Sequence, residues 1–192
     1  MTTLSHHLLT EAYNNAWANH RLLKACAQLS QEEFEARRTS FFPTIKATLN
    51  HILTVDWFYI DALERELRNA EPHPNYLSFF ERDEPCATVA ELRAAQKDAD
   101  RRLIEYCQQL KDDELGRVVT ILRTGSVQRD KRHRLLAHLF GHQIHHRGQV
   151  HAMLSGTGVA PPQLDEFFSA GEADLRAQDF KELGWTEKLI WG

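Results

Sequence analysis

The run from His138 to Met153, H-L-F-G-H-Q-I-H-H-R-G-Q-V-H-A-M, holds five of the chain's eleven histidines and places the tightest constraint on the fold. On a helix turning about 100° per residue, His142 and His146 lie one turn apart on the arc that also carries Leu135, Leu139, Val150 and Met153. An apolar arc of that kind faces a core, so the two imidazoles enter the interior together. Each buried neutral imidazole needs partners for both ring nitrogens. Two on one face are therefore hydrogen-bonded core residues or two ligands of one ion, and i, i+4 is the spacing by which one helix supplies two ligands. A third ligand must then come from a neighbouring helix.

The other histidines of this run fall off the arc. His138 and His145 sit on one flank, about 60° or more from its centre, and His151 sits on the other, which makes them solvated or supporting groups. A zincin helix needs Glu directly after its first His. Here Gln143 follows His142, so a metalloprotease mechanism lacks its general base.

The rest of the chain reads as helices that could surround this one. Leu8, Leu9, Ala12, Ala16, Leu23 and Cys26 recur at helical spacing between about Ser5 and Leu29. Asn14, Asn15, Trp17, Asn19 and His20 interrupt the apolar surface of that helix, and we read them as a packed Trp with solvated neighbours in preference to substrate contacts. Ser30 and Glu33 form a capping-box pattern for a short turn of helix. Pro43 suits the opening of a second long helix, continued by Ile45, Leu49, Ile52, Val55, Tyr59 and Leu63 to about Asn69. His51 lies at the edge of its apolar arc. As the only histidine inside that helix, it is the best candidate for the third ligand. Asp56, five residues on, is rotated by about 140° from His51 and is a poor chelating partner.

Pro72, Pro74 and Pro85 mark Glu71 to Ala87 as an irregular loop. Thr88 with Glu91 is a second capping box, opening a third long helix through Leu92, Ala95, Leu103, Tyr106 and Leu110. Between Leu115 and Arg132 the β-prone Val118 to Leu122 and the turn signal Thr124-Gly125-Ser126 predict a small hairpin. The fourth long helix, with the histidines, runs from about Lys131 to Leu154 and stops before Gly156, Gly158 and Pro161-Pro162. Phe167, Phe168, Leu175, Phe180, Leu189, Trp185 and Trp191 suit a tail packed on the bundle. The expected fold is all-α: one four-helix bundle domain over residues 1–192, with a hairpin-like excursion before the last long helix.

Composition narrows the function classes. A formal charge of −4 and scattered Lys and Arg give no electrostatic reason to expect nucleic acid or an anionic membrane surface. No basic segment followed by an apolar run opens the sequence, and no stretch suits a membrane span, so a cytoplasmic location is expected. Cys26, Cys86 and Cys107 are odd in number and widely spaced, which suits reduced thiols. Cys26 and Cys107 fall within helical patterns and read as small core residues.

Three passages resemble the DinB family, the DinB/YfiT-like superfamily of metal-dependent proteins. They are Tyr13 to Asn19, Y-N-N-A-W-A-N; Leu49 to Asp56, L-N-H-I-L-T-V-D; and His142 to Gln149, H-Q-I-H-H-R-G-Q, which matches the family's H-x-x-x-H-R-G-Q. The resemblance covers about residues 5 to 168, the bundle core, and leaves 169–192 as an extension. It implies a four-helix bundle, often homodimeric, with a three-histidine divalent metal site at His51, His142 and His146. The metal it implies is zinc or nickel, which imidazole ligation does not separate from iron or copper. Some relatives are transferases or isomerases that use a low-molecular-weight thiol such as mycothiol or bacillithiol.

The resemblance implies a metal-dependent enzyme of the thiol-dependent transferase type, and three protein ligands would leave a position open for a thiol or water. His145 and Asp56 are candidates for proton transfer or ligand support. Arg147 is a candidate anchor for a substrate carboxylate, or else a surface ion pair. Gln149 is placed to orient a ligand imidazole, and Gly148 to permit close helix packing. The alternatives are a metal-dependent hydrolase and a non-catalytic metal-stabilised interaction protein with Trp185 and Trp191 in a dimer contact.

Overall fold

The computed structural model describes residues 3–192. The first long helix, α1, spans Leu4–Cys26 and starts where the Thr3 hydroxyl accepts from the His6 N–H. The Ser30 and Glu33 capping box is formed and opens the short α2, Gln31–Glu35. The next helix, α3, spans Ile45–Leu67. Pro43 is not its first residue, as expected, because Thr44 intervenes as the N-cap and accepts from the Ala47 N–H at 2.9 Å. The Thr88 and Glu91 capping box is also formed and opens α4, Val89–Cys107.

The hairpin is present as β1, Val118–Arg123, and β2, Ser126–Lys131, paired antiparallel with Arg123 opposite Ser126. Gly125 takes a φ of 74° in its turn, a left-handed conformation that glycine adopts without steric cost. The histidine helix, α5, spans Arg132–Leu154. Two shorter helices follow, α6 (Ala173–Leu183) and α7 (Glu187–Trp191).

Side-chain contacts give the direction of each long helix. Tyr59 and His51 on α3 meet His138 and His142 on α5, so these two run antiparallel. Asn50, Asp56 and Glu64 on α3 meet Cys86, Gln96 and Arg102 in rising order, so α3 and α4 run parallel. Tyr13 and Asn19 on α1 meet Gln108 and Asp100 on α4, an antiparallel pair. Parallel neighbours demand a connection that returns the length of the bundle, and residues 68–88 are that connection. The proline-rich segment is long for this reason.

A buried side chain pins the end of the loop. Asn50, fully buried in α3, accepts from the Cys86 N–H at 2.9 Å and donates to the Cys86 carbonyl at 3.0 Å, completing the loop's backbone pairing where no strand is available.

The tail is held by charge as well as by apolar contact. Arg21 of α1 donates from Nε to Asp179 at 2.5 Å and from Nη1 to Glu166 at 2.6 Å, while Trp17 Nε1 reaches Asp179 at 3.3 Å. Trp17 also packs against Phe167 with ring centroids 5.5 Å apart, and Tyr13 meets Trp185 edge-on at 5.0 Å. Trp191 lies against Phe167, so both C-terminal tryptophans are engaged within their own chain. Phe180 and Ile190 join the core, whereas Leu175 and Leu189 stay exposed. Cys26, Cys86 and Cys107 are free and buried. No described helix is long and apolar enough to cross a membrane.

Replacing Asn50 leaves a buried backbone donor and acceptor of Cys86 without partners, and each such group costs about 1–3 kcal/mol. Asn50→Ala is therefore expected to lose about 2–3 kcal/mol in urea unfolding and to be cut faster by protease within residues 68–88; a loss below about 0.5 kcal/mol would refute the pinning role.

Candidate metal centre

The antiparallel pairing of α3 with α5 brings His51 opposite His142 and His146. One ring nitrogen from each of the three lies within 4.8 Å of the others, and His51 Nε2 stands 3.0 Å from His142 Nε2. Three nitrogens converging this closely match the donor set of an imidazole-bound divalent ion, with metal–nitrogen distances of about 2.0–2.1 Å. No carboxylate among the described residues joins the trio.

Local partners prepare these rings. Gln149 Oε1 lies 2.8 Å from His146 Nδ1; an amide oxygen only accepts, so Nδ1 carries the hydrogen and Nε2 presents its lone pair. The same amide donates from Nε2 to His145 Nε2 at 3.2 Å. His142 Nδ1 is sealed without a partner, so its donor set is incomplete within the protein alone. The Phe42 ring stacks over His51 at 4.4 Å and reaches His146 at 5.6 Å, covering one side of the trio.

Burial keeps the imidazoles neutral. It pushes His51 down to about 4, assisted by repulsion from His146, and His142 down to about 3, assisted first by His146 and then by His51, His138 and His145. His146 is lowered by burial too, against a raising hydrogen bond from Gln149. Neutral lone pairs are what a divalent ion requires.

Beside the trio lies a buried polar cluster drawn from all four long helices. Asp100 Oδ1 accepts from Asn15 at 3.3 Å, Asn19 at 2.9 Å and Gln96 at 3.1 Å, and Gln96 also donates to Asp56 at 2.7 Å. Arg147 donates from Nη1 to the side-chain oxygens of Asn15, Asn19 (3.0 Å) and Gln143 (3.3 Å). Two expectations are corrected by this cluster. Arg147 is neither a substrate anchor nor a surface ion pair, because it is 4% exposed and its contacts are internal. Asp56 is 1% exposed and faces Gln96, so it cannot pass protons at the trio. Asn15 and Asn19 are likewise buried and not solvated. Gly148 is exposed with nothing within 4 Å of an added Cβ, so it serves no helix packing.

The flanking histidines keep to the rim. His145 is exposed with its ring 4.8 Å from His146, and His138 is exposed with Nε2 3.3 Å from the Tyr59 hydroxyl. A second trio, His20, Asp179 and Glu182, also brings its ligand atoms within 4.8 Å, but Arg21 and Lys24 already neutralise its carboxylates. A cavity of about 990 Å³ lies between α1, α4 and the tail beside Tyr13, Ile104 and Trp185, and none of the three histidines lines it. The chemistry of the donors, and not the volume of the cavity, marks the site.

A family profile described as the DinB family matches residues 2–179, nearly the whole chain, including all three histidines. The chain belongs to the DinB family. Among curated DinB-family relatives, Protein DinB of Bacillus subtilis (strain 168) is 26% identical over 153 residues, which cover 79% of this chain and 86% of that protein.

Sequence reasoning missed Phe42, Gln96 and Asp100. Gln96 and Asp100 carried a signal, since they share the arc of Leu92, Ala99 and Leu103 on α4 and a polar pair on a core arc calls for partners. Phe42 carried none, because only the chain's return toward α3 brings it over the trio.

The cluster holds two carboxylates against one guanidinium. Burial, then repulsion from Asp100, pushes Asp56 up to about 7, and burial pushes Asp100 up to about 6; burial lowers Arg147 to about 10. Asp56 Oδ1 and Gln143 Nε2 both fall short of a hydrogen bond, although the amide is close enough to ease the acid's ionisation. Both folded values exceed the ordinary 3.8, so these acids stabilise the fold fully below that value and lose their contribution as pH rises toward 7. His51 and His142 act oppositely: their contribution is present above 6.5 and drains away as pH falls toward 4 and 3. Asp56→Asn removes one acid and leaves the histidines alone. Its unfolding free energy relative to the parent is expected to rise between about pH 5 and about pH 8, and a difference that is equal at both would contradict the assignment.

Proposed function

We propose that His51, His142 and His146 hold one divalent ion, zinc or nickel, and that the protein is a metal-dependent transferase acting on a low-molecular-weight thiol. The observation that carries this reading is the trio itself: three neutral imidazoles within 4.8 Å with no fourth protein ligand among the described residues. Such a set leaves a position for an exchangeable ligand. An ion bound there supplies a positive charge that deprotonates a thiol at neutral pH. The protein's own residues do the rest. Gln149 fixes the His146 ring and donates to His145 Nε2, and Phe42 keeps water from one side of the trio. Hydrolysis is the weaker enzymatic reading, because no carboxylate stands beside the trio to act as a general base.

The position of the 990 Å³ cavity away from the trio favours a second reading, in which the ion stabilises a protein that binds without reacting. One set of measurements separates them. Protein purified without a histidine tag is expected to carry about one divalent ion per chain and to lose it in His142→Ala. Gln149→Leu is expected to weaken metal affinity by about 10–100-fold, as removal of an imidazole's outer partner does. Thiol titration of the cobalt-loaded protein is expected to produce a thiolate charge-transfer band. A large drop in melting temperature on metal removal with no thiol band supports the non-catalytic reading, and absence of stoichiometric metal overturns both.

A further inference from the structure

Arg123, at the end of β1, is a guanidinium without an acid. It is half-buried and lies over the Phe58 ring at 4.8 Å and the Tyr59 ring at 5.5 Å. Its Nε donates to Gln128 Oε1 at 2.9 Å and its Nη2 to the Tyr59 hydroxyl at 2.6 Å, both neutral acceptors. Asp130, the acid joined to it through Gln128, is turned instead toward the Gln128 amide at 2.6 Å and toward Arg134. No carboxylate among the described residues lies within ion-pair distance of Arg123, and its Nη1 has no acceptor there and is not a sealed interior atom. Arg21, Arg102, Arg132 and Arg176 each meet at least one carboxylate; Arg147 and Arg38 meet only neutral acceptors, but Arg147 is sealed in the core and Arg38 has no aromatic ring beneath it among the described residues. A partly desolvated guanidinium gains most from an oxyanion that can take its free N–H groups.

This cation is joined to the histidine trio through Tyr59 and His138. The Tyr59 hydroxyl that accepts from Arg123 is 3.3 Å from His138 Nε2. The His138 ring lies 5.3 Å from Tyr59 and 6.3 Å from His142, centroid to centroid. Two ring-to-ring steps thus separate the guanidinium end from the trio, with Phe58 as an apolar wall at the guanidinium.

We propose that Arg123 and Tyr59 form a carboxylate subsite of the three-histidine centre, binding the far end of a ligand whose metal-seeking atom sits at His51, His142 and His146. This rests on the reading of the trio as an open metal site and adds to it the class of ligand: a thiol separated from a carboxylate by several bonds. Arg123 Nη1 donates to the carboxylate, and Tyr59 offers its hydroxyl proton to the same group. His138 spans the gap along the ligand's chain.

The test uses the full chain loaded with cobalt and two matched series of probes, ω-mercaptocarboxylates from 3-mercaptopropionate to 8-mercaptooctanoate and the corresponding ω-mercaptoalcohols. Affinity is read from the thiolate-to-cobalt band, and folding of each variant from its melting temperature. At an intermediate chain length the acid is expected to bind at least about tenfold tighter than the alcohol, the scale of one hydrogen bond to a charged group. Arg123→Met is expected to erase that advantage while leaving alcohol affinity within about twofold, Arg123→Lys to keep part of it, and Tyr59→Phe to reduce it. Equal binding of acid and alcohol at every length overturns the subsite, as does an Arg123→Met variant that weakens both series alike. If cobalt does not bind, the metal reading falls by itself. The subsite is then read on the metal-free chain with hexanoate against hexanol: an Arg123-dependent preference for the acid supports it, and no preference overturns it.

Discussion

The bundle's register depends on the buried cluster around Arg147. Asn15 and Asn19 come from α1, Asp56 from α3, Gln96 and Asp100 from α4, and Gln143 and Arg147 from α5. Apolar side chains tolerate axial sliding, since a leucine displaced by a turn still meets other apolar atoms. Hydrogen-bonding groups do not, because a buried donor or acceptor that loses its partner carries its full desolvation cost. The cluster therefore admits one axial setting of the four long helices, a device of specificity of the kind single polar residues supply in coiled coils.

The histidine trio inherits its geometry from that setting. Gln143 and Arg147 belong to the cluster and flank His142 and His146 in sequence, so the helix that is fixed by one is aimed by the other. Asp56 does the same on α3 for His51. Residues that a motif reading treats as chemistry thus divide in two. The histidines face the rim, half-buried or buried beside Phe42, while Asp56 and Arg147 turn inward and set the frame. The cluster's two acids and one guanidinium also leave it short of one positive charge, which ties the fold's pH response to a part of the molecule that never meets solvent.

Much of the fold was legible because its signals are local. Both capping boxes, at Ser30 with Glu33 and at Thr88 with Glu91, form where their spacing places them. The hairpin and the four long helices follow from periodicity and turn residues in the same way. Pro43 misled by two positions, since Thr44 caps the helix with a hydroxyl that Pro43 lacks and Ile45 is its first residue. The inward turn of Arg147 was not legible, because a helical wheel gives the direction of a side chain and not the depth of what it meets. Nor was the setting of Arg123, whose partners Tyr59 and Gln128 come from different elements.

The sequence by itself determined that α5 would present His142 and His146 on one arc and that α3 held a single histidine, the best candidate to join them. These are consequences of a fixed helical pitch and of the side chains written along it. Only the tertiary structure decided that His51 lies 3.0 Å from His142, that Gln149 holds the His146 ring, and that two acids and an arginine vanish into the core. Helical pitch fixes angles around one axis. Distances between axes, and the burial that raises or lowers a pKa, arise only when four helices are locked at one axial setting.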